Sequence, residues 1–357
     1  MKVLHLSSEK TWRGGEQQIA YLIEELSLRG VESIVAVRRD SAFEKYCLEN
    51  KIKYFPMDFK NEFDLFTAFS LKKLMLQERP DIVHMHTGKG HGIGVLASVL
   101  EGGKTPLVLS KRTDFPIKNT YFAKFKFNYI GIKKILCVSN RIKHNISKDL
   151  KNPERDTAVY SGVKLDKFHF REEKFFHKLL NLSPEIKLVG NTSAIADQKD
   201  YFSFVRVAKK VCESREDVRF LIIGQGPLES RIKAFVKEEG LEEKVLFTGF
   251  LSNLPEVLFN LDVFLITSKT EGLGTSILDA FACKIPVVAT DAGGIGEIVI
   301  EGKTGSLCAI GDVEKLSENV LLRLGDHNLF ESEEFVRNFS KENTAERTLA
   351  VYHEILG

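Results

Sequence analysis

Short apolar runs alternate along almost the whole chain with longer stretches in which apolar residues recur every three or four positions. Val3-Leu-His-Leu6 leads into Gly14-Gly15. Ile19, Leu22, Ile23 and Leu26 then mark one face of a helix, which Gly30 closes. Strand-like runs follow at Ile34–Val37, Ile82–His86, Leu107–Leu109 and Ile135–Val138. The alternation restarts at Ile186-Lys-Leu-Val-Gly190 and continues through Phe220–Gly224, Val245–Phe247, Val263–Ile266 and Val287–Ala289. Strands alternating with helices predict a parallel sheet covered on both faces. The restart predicts two such α/β, doubly wound domains. The break falls near residues 161–184, where Phe168–Lys178 is charged and aromatic and suits a connector. Ala345, Leu349, Tyr352 and Leu356 have near-helical spacing. The expected domains are therefore 1–163 and 164–338, with 339–357 as a C-terminal helix packing back on the first.

At 357 residues the chain has room for two ordinary domains. A net charge of +2 gives no overall reason to expect nucleic acid. The five cysteines, Cys47, Cys137, Cys212, Cys283 and Cys308, are scattered and form no Cys-x-x-Cys. They predict reduced, mostly buried thiols in a cytoplasmic protein rather than a disulfide or zinc framework. The N-terminus turns polar after six residues and reads as a first strand, not a secretory leader. No apolar run approaches the ~18 residues of a membrane span.

The stretch Glu271-Gly-Leu-Gly-Thr-Ser-Ile-Leu-Asp279 adds chemistry to this pattern. The strand Val263–Ile266 runs into it and a helix, roughly Ser276 to Ala282, runs out. The strand Pro286–Thr290 and a second turn, Gly293-Gly294, follow. A glycine turn opening a helix can seat a phosphate. The flanking carboxylates only accept hydrogen bonds, so hydroxyl groups are their natural partners. Phosphate and hydroxyls at one place suggest a nucleotide-sugar. A plainer reading makes Ser276-x-x-Asp279 a capping box and Glu271 a solvated loop residue.

Gly14-Gly15 can be a plain strand-to-helix turn, or bare backbone laid against a ligand. Gly224-Gln-Gly226-Pro227 has no late glycine, which argues against a dinucleotide fingerprint. No Asp-x-Asp occurs, so no site for a diphosphate-bound metal is evident. Residues 101–151 hold twelve Lys and Arg against three acids, around Tyr121, Phe122, Phe125 and Phe127. This stretch is either a buried aromatic helix with a lysine edge or a patch for anionic lipid through Lys124, Lys126, Lys133 and Lys134. RNA binding is a poorer third reading, because no RNA-binding motif accompanies it.

Over nearly its whole length the chain resembles glycosyltransferase family 4, which has the GT-B fold. The residues that carry the resemblance are Gly14-Gly15-Glu16, Pro80-Asp-Ile-Val-His-Met-His86, Ser161-Gly-Val-x-Leu-Asp-x-Phe168 and Lys199-Asp200. They continue with Ile222-Ile-Gly-Gln-Gly-Pro227, Val245-x-Phe-x-Gly-Phe250, Glu271 to Glu297, and Glu301-Gly-x-Thr-Gly305. The resemblance implies two Rossmann-like domains facing each other across a cleft. It implies a retaining, metal-independent glycosyltransferase that needs no cofactor. The donor is a nucleoside-diphosphate sugar, expected to be UDP-linked. The acceptor is a glycan or lipid-linked hydroxyl of envelope polysaccharide or lipopolysaccharide synthesis.

By the same resemblance, Glu271 contacts the transferred sugar, Asp279 holds the ribose, the backbone of Leu273, Gly274, Thr275 and Ser276 meets the diphosphate, and Gly272 belongs to the same donor site. The family's second acid is usually Glu, one methylene longer than Asp279. Lys199 offsets the charge of the leaving diphosphate. The family's accompanying Arg is missing from Gly190–Ala196, where Thr192 and Ser193 stand in, with Arg231 a further candidate. Gly14, Gly15, Gly224 and Phe250 complete the expected donor site. His86 lies near the reacting carbon, and Arg112 is an acceptor-side candidate. The expected location is cytoplasmic, with peripheral attachment to the inner face of the membrane. A nucleotide-sugar 2-epimerase, or a non-catalytic sugar-binding protein of this fold, remains the alternative.

Overall fold

The computed structural model describes residues 1–168, 173–251, 253–325 and 332–357. Part of the expected connector Phe168–Lys178, residues 169–172, lies outside them. The chain divides into two units. One is Met1–Gly162 together with Lys341–Gly357, and the other is Val163–Ser340.

The first unit contains β1 (Lys2–Ser7), β2 (Glu32–Arg38), β3 (Lys53–Met57), β4 (Ile82–Met85), β5 (Leu107–Lys111), β6 (Ile132–Cys137) and β7 (Asp156–Ala158). They form one parallel sheet in the order β3-β2-β1-β4-β5-β6-β7. The second unit contains β8 (Lys187–Thr192), β9 (Val218–Ile223), β10 (Val245–Gly249), β11 (Val263–Ile266), β12 (Val287–Thr290) and β13 (Ser306–Cys308). Their order is β10-β9-β8-β11-β12-β13, again parallel. Each sheet is thus a doubly wound α/β layer whose strand order reverses once, between β1 and β4 and between β8 and β11. Ligands of such sheets sit beyond the carboxyl ends of the strands at that reversal.

The central strands are the ones that read as apolar runs, because a parallel sheet buries both faces. The strands absent from the sequence pattern, β3, β7 and β13, lie at sheet edges. β3 contains Pro56, which an edge strand tolerates because one row of its backbone groups has no partner strand. One face of the first sheet packs Val3, Ile82, Val108 and Leu136 against Leu22 and Leu26 of the helix Gly14–Leu28. The same core holds Ala345, Val351 and Tyr352 of the C-terminal helix Lys341–Leu356. In the second unit, Phe204, Val207 and Val211 of the helix Tyr201–Ser214 cover Val189, Phe220 and Val263.

Candidate active site

In the second unit the loops after β8 and β11 are tied together at the reversal of strand order. The Thr267 hydroxyl donates to the carbonyls of Lys199 (3.2 Å) and Asp200 (3.0 Å). The Lys269 N–H donates to the Gln198 carbonyl at 2.8 Å. Held this way, Lys199 Nζ forms an ion pair with Glu271 Oε1, which also accepts the Ser268 hydroxyl at 2.8 Å. Gly293 presses against the backbone of Glu271. It has φ +57°, and a Cβ there would lie 1.9 Å from the Glu271 carbonyl oxygen. The second glycine turn therefore packs directly on the first, which is why no side chain fits at Gly293.

Gly274, at φ +86°, caps the helix Thr275–Ala282 without any side-chain hydrogen bond. The capping-box reading of Ser276 and Asp279 does not hold. The helix begins one residue earlier, at Thr275, and Asp279 instead pairs with Lys167 Nζ at 2.8 Å. The first amides of this helix thus have no side-chain cap, and its positive end favours an anion by about 0.3–2 kcal/mol. Leu273 is buried and anchors the turn.

The Thr192 hydroxyl oxygen, at the end of β8, is buried without a hydrogen-bond partner. The Ser193 hydroxyl shares a hydrogen bond with the Tyr201 hydroxyl at 2.9 Å. Arg231 stacks over the Phe202 ring, 5.8 Å from its centroid. Gly224 follows β9 with φ +149°, and a Cβ there would lie 2.2 Å from the Ser193 carbonyl oxygen. Its role on this geometry is close passage of two loops. Phe250 follows β10 and is exposed.

In the first unit, side-chain alternation builds a polar face from an apolar base. Residues two apart along a strand share a face. Val3, Ile82 and Val108 lie in the core; His5 is opposite His84 and His84 opposite Val108 in the ladder, and Ser7, His86, Ser110 and Arg112 follow on the same face towards the strand ends. His84 hydrogen-bonds through Nε2 to Ser110 Oγ (2.8 Å) and through Nδ1 to the Tyr352 hydroxyl (2.5 Å). His5 Nδ1 and His86 Nε2 share a hydrogen bond of 3.0 Å. Burial pushes His5 down to about 3 and holds His84 and His86 well below the usual imidazole range, so all three are neutral. Burial also lowers Arg112 to about 10, leaving it charged at neutral pH, and raises the Glu16 carboxyl.

One ring nitrogen from each histidine lies within 4.8 Å of the others. Both nitrogens of His84 are already hydrogen-bonded, as are His5 Nδ1 and His86 Nε2. A metal ion there would have to displace at least one of those bonds. Gly14 and Gly15 open the helix Gly14–Leu28 after β1, with open space where a Gly15 Cβ would stand.

The four patch lysines do not form one free surface. Lys124 is exposed on the helix Tyr121–Asn128. Lys126 on the same helix is buried and paired with Glu62 at 2.5 Å. Lys133 and Lys134 belong to β6, and Lys134 pairs with Glu354 at 2.6 Å. Nor is the aromatic helix simply buried, since Tyr121 is 90% exposed. The Phe122 and Phe63 ring centroids are 4.3 Å apart, and Phe63, Phe66 and Phe69 are exposed.

The sequence assigned no role to Lys167, His5, His84, Ser7 or Glu16, although Glu16 and His84 lie within the motifs that carry the resemblance. The histidines carried a usable signal: His5, His84 and His86 fall in step with apolar residues of the same strand face. Lys167 carried none, because its partner is distant in the chain.

The family profile "Glycosyltransferase Family 4" matches residues 12–167, and "Glycosyl transferases group 1" matches residues 171–343. The chain is 26% identical over 306 residues to N-acetyl-alpha-D-glucosaminyl L-malate synthase of Bacillus anthracis, covering 82% of this chain and 80% of that one. It is 26% identical over 277 residues to the Escherichia coli UDP-Gal:alpha-D-GlcNAc-diphosphoundecaprenol alpha-1,3-galactosyltransferase, covering 74% and 71%. In fold it is similar to Anabaena HepE, solved in complex with UDP, with a TM-score of 0.85 at 18% identity and coverage of 99% and 100%.

Proposed function

The chain belongs to glycosyltransferase family 4, and on that premise we propose that it moves a sugar from a nucleoside-diphosphate sugar to an acceptor hydroxyl, with retention at the anomeric carbon. The observation that carries this reading is the Lys199–Glu271 ion pair beside the uncapped helix start at Gly274. A diphosphate seated on the helix start takes Lys199 as its counter-ion. Glu271, released, accepts from sugar hydroxyls. The C1–O bond to the diphosphate breaks, the acceptor oxygen bonds to C1, and the acceptor proton passes to the departing phosphate oxygen. Lys199 stabilises the charge that grows on that phosphate. Asp279 serves the ribose and Thr192 a phosphate oxygen. Neutral His86 offers a hydrogen bond to a hydroxyl.

UDP is the nucleotide we favour, supported by the UDP complex of HepE and the UDP-galactose donor in the E. coli relative's name. That relative's name also gives a diphosphoundecaprenol-linked acceptor, which supports a lipid-linked acceptor here. No helix among the described residues is long and apolar enough to cross a membrane. The exposed aromatic residues Phe63, Phe66 and Phe69, with exposed Lys60 and Lys73 on the same segment of chain and exposed Lys118 and Lys124 elsewhere in the unit, support docking on an anionic bilayer.

A specific observation favours a second reading. His5, His84, His86 and Glu16 are the kind of added acid and histidine set that a nucleotide-sugar 2-epimerase would need. Incubation with UDP-glucose, UDP-galactose and UDP-N-acetylglucosamine separates the readings. Transfer predicts tight UDP binding that survives EDTA, and UDP release that rises with acceptor. Conversion of one UDP-sugar to its 2-epimer without UDP release would replace transfer by epimerisation. UDP binding abolished by EDTA would end the metal-free form of the mechanism.

A further inference from the structure

At the carboxyl ends of β1, β4 and β5, five polar atoms are buried without a hydrogen-bond partner: His5 Nε2, Ser7 Oγ, Glu16 Oε1, His86 Nδ1 and Arg112 Nε. Buried polar groups are nearly always satisfied, so a group of orphans at the reversal of a doubly wound sheet marks a place made for a polar ligand. Its charge balance is lopsided. Arg112 has five N–H donors in a planar fork. Its recorded hydrogen bond is one long contact from Nη1 to Ser161 Oγ at 3.4 Å. Among the described residues no carboxylate forms an ion pair with it. Glu16, an acid within electrostatic reach, is pushed towards its protonated form by burial. The three imidazoles around Arg112 are neutral. The helix Gly14–Leu28 starts at the same end of the sheet, and Glu16 in its first turn already uses Oε2 to accept the Arg13 N–H at 3.2 Å, which leaves Oε1 as the orphan.

Arg112 is half-buried, and with its Nε unpaired and no carboxylate bonded to it, no contact within the protein accounts for the direction of its fork. We propose that Arg112 binds an oxyanion, a phosphate or carboxylate, carried by the acceptor. The neutral histidines and Ser7 would then receive the acceptor's hydroxyls. This rests on the glycosyl-transfer reading and narrows its second substrate to anionic hydroxyl compounds. A guanidinium fork matches either oxyanion with two parallel hydrogen bonds, which an ammonium does not reproduce.

The test uses the full-length chain without nucleotide. Inorganic phosphate, glycerol 3-phosphate, succinate and glycerol are titrated by calorimetry at constant ionic strength. At least one anion should bind and glycerol should not, and the phosphate and succinate arms tell the two oxyanions apart. Arg112→Gln should weaken anion binding by about tenfold or more, with Arg112→Lys in between and UDP affinity unchanged. Because no carboxylate among the described residues forms an ion pair with Arg112, Arg112→Gln should melt no lower than the unaltered protein. A fall of several degrees, or anion binding unaffected by the substitution, overturns the proposal in favour of a structural arginine. Loss of UDP and phosphate together also overturns it, assigning the cation to the donor. If the unaltered protein fails to bind UDP while binding phosphate through Arg112, the transfer reading fails and the oxyanion site stands.

Discussion

Lys199 and Glu271, which follow neighbouring strands β8 and β11, neutralise each other at the end of the second sheet. Neither side chain is well exposed, at 17% and 11%, so each would be costly to leave alone. On the proposed reading, the pair is the closed form of the donor site. A diphosphate and a sugar hydroxyl together supply what each residue loses when the pair opens. A ligand that offers only one of them leaves the other residue unpaired.

The two residues should therefore fail differently. Lys199→Ala is expected to lower kcat by ~10²-fold or more, as lost transition-state electrostatics do. Glu271→Gln should lower kcat more than UDP affinity. Because the side chains touch, the double substitution should cost less than the sum of the single ones, by roughly 0.5–3 kcal/mol in a thermodynamic cycle. Additive effects on turnover would show that the contact is incidental to the chemistry.

Asp279 presents a related test. Its ion pair with Lys167 occupies the carboxylate expected to hold the ribose. Asp279→Asn should weaken UDP about tenfold, or ~1.4 kcal/mol, with little change in kcat. Lys167→Met removes the competitor and should tighten UDP. Weaker UDP binding in Lys167→Met would instead make Lys167 a ligand of the nucleotide. Calorimetric UDP titration of both variants decides the matter.

The limits of the sequence follow from where each interaction is encoded. β4 and β11 are apolar runs because both faces of a central parallel strand are buried, and that signal is local. Three-residue β7 and β13 bury too little to leave a pattern, and Pro56 disguises β3. Glycine spacing marks the turns at Gly274 and Gly293, because a Cβ at Gly293 would strike the Glu271 backbone. Pairings between distant segments leave no such mark. Lys167 with Asp279, Tyr352 with His84, and Lys126 with Glu62 are properties of the fold. Charge counting consequently overstated the lysine patch and missed the exposed phenylalanines.

The buried histidines make stability depend on pH. His5 and His91 are lowered to about 3 by burial, and His84 and His86 are also held far down. In an unfolded chain each titrates near 6.5. The native state therefore binds fewer protons below that pH. Stability is fully present above about pH 6.5 and is lost as pH falls towards the native-state values, by up to ~1.4 kcal/mol per pH unit for each histidine. Urea midpoints measured at about pH 7.5, 6.5 and 5.5 should fall with pH. His91, whose Nε2 hydrogen-bonds the Lys126 carbonyl at 3.0 Å, lies outside the site, so His91→Gln should flatten the slope without removing it. A midpoint constant across this range would contradict the neutral, buried state of all four rings.

Membrane docking is the prediction that the structure most changes. Lys126 and Lys134 are engaged by Glu62 and Glu354, so reversing their charge would disturb folding as much as binding. The residues to alter are the free ones. Phe66 is 87% exposed and Phe69 is 54% exposed, both on the helix Leu65–Glu78, whose other face buries Ala68, Leu71 and Met75. Exposed Lys73 shares that helix, and exposed Lys124 lies on the helix Tyr121–Asn128. Each lysine near an anionic surface contributes about 1 kcal/mol, screened within a Debye length of roughly 8–10 Å at ordinary salt. Burial of a phenylalanine adds about 1.5–3 kcal/mol that salt does not screen. Vesicle sedimentation should thus show binding to anionic but not neutral liposomes. Phe66→Ser with Phe69→Ser should weaken it at every salt concentration. Lys73→Glu with Lys124→Glu should weaken it mainly at low salt. All four substitutions should leave UDP affinity intact. Equal binding to neutral vesicles, or none to anionic ones, would return the aromatic face to an ordinary solvent surface and favour a soluble acceptor.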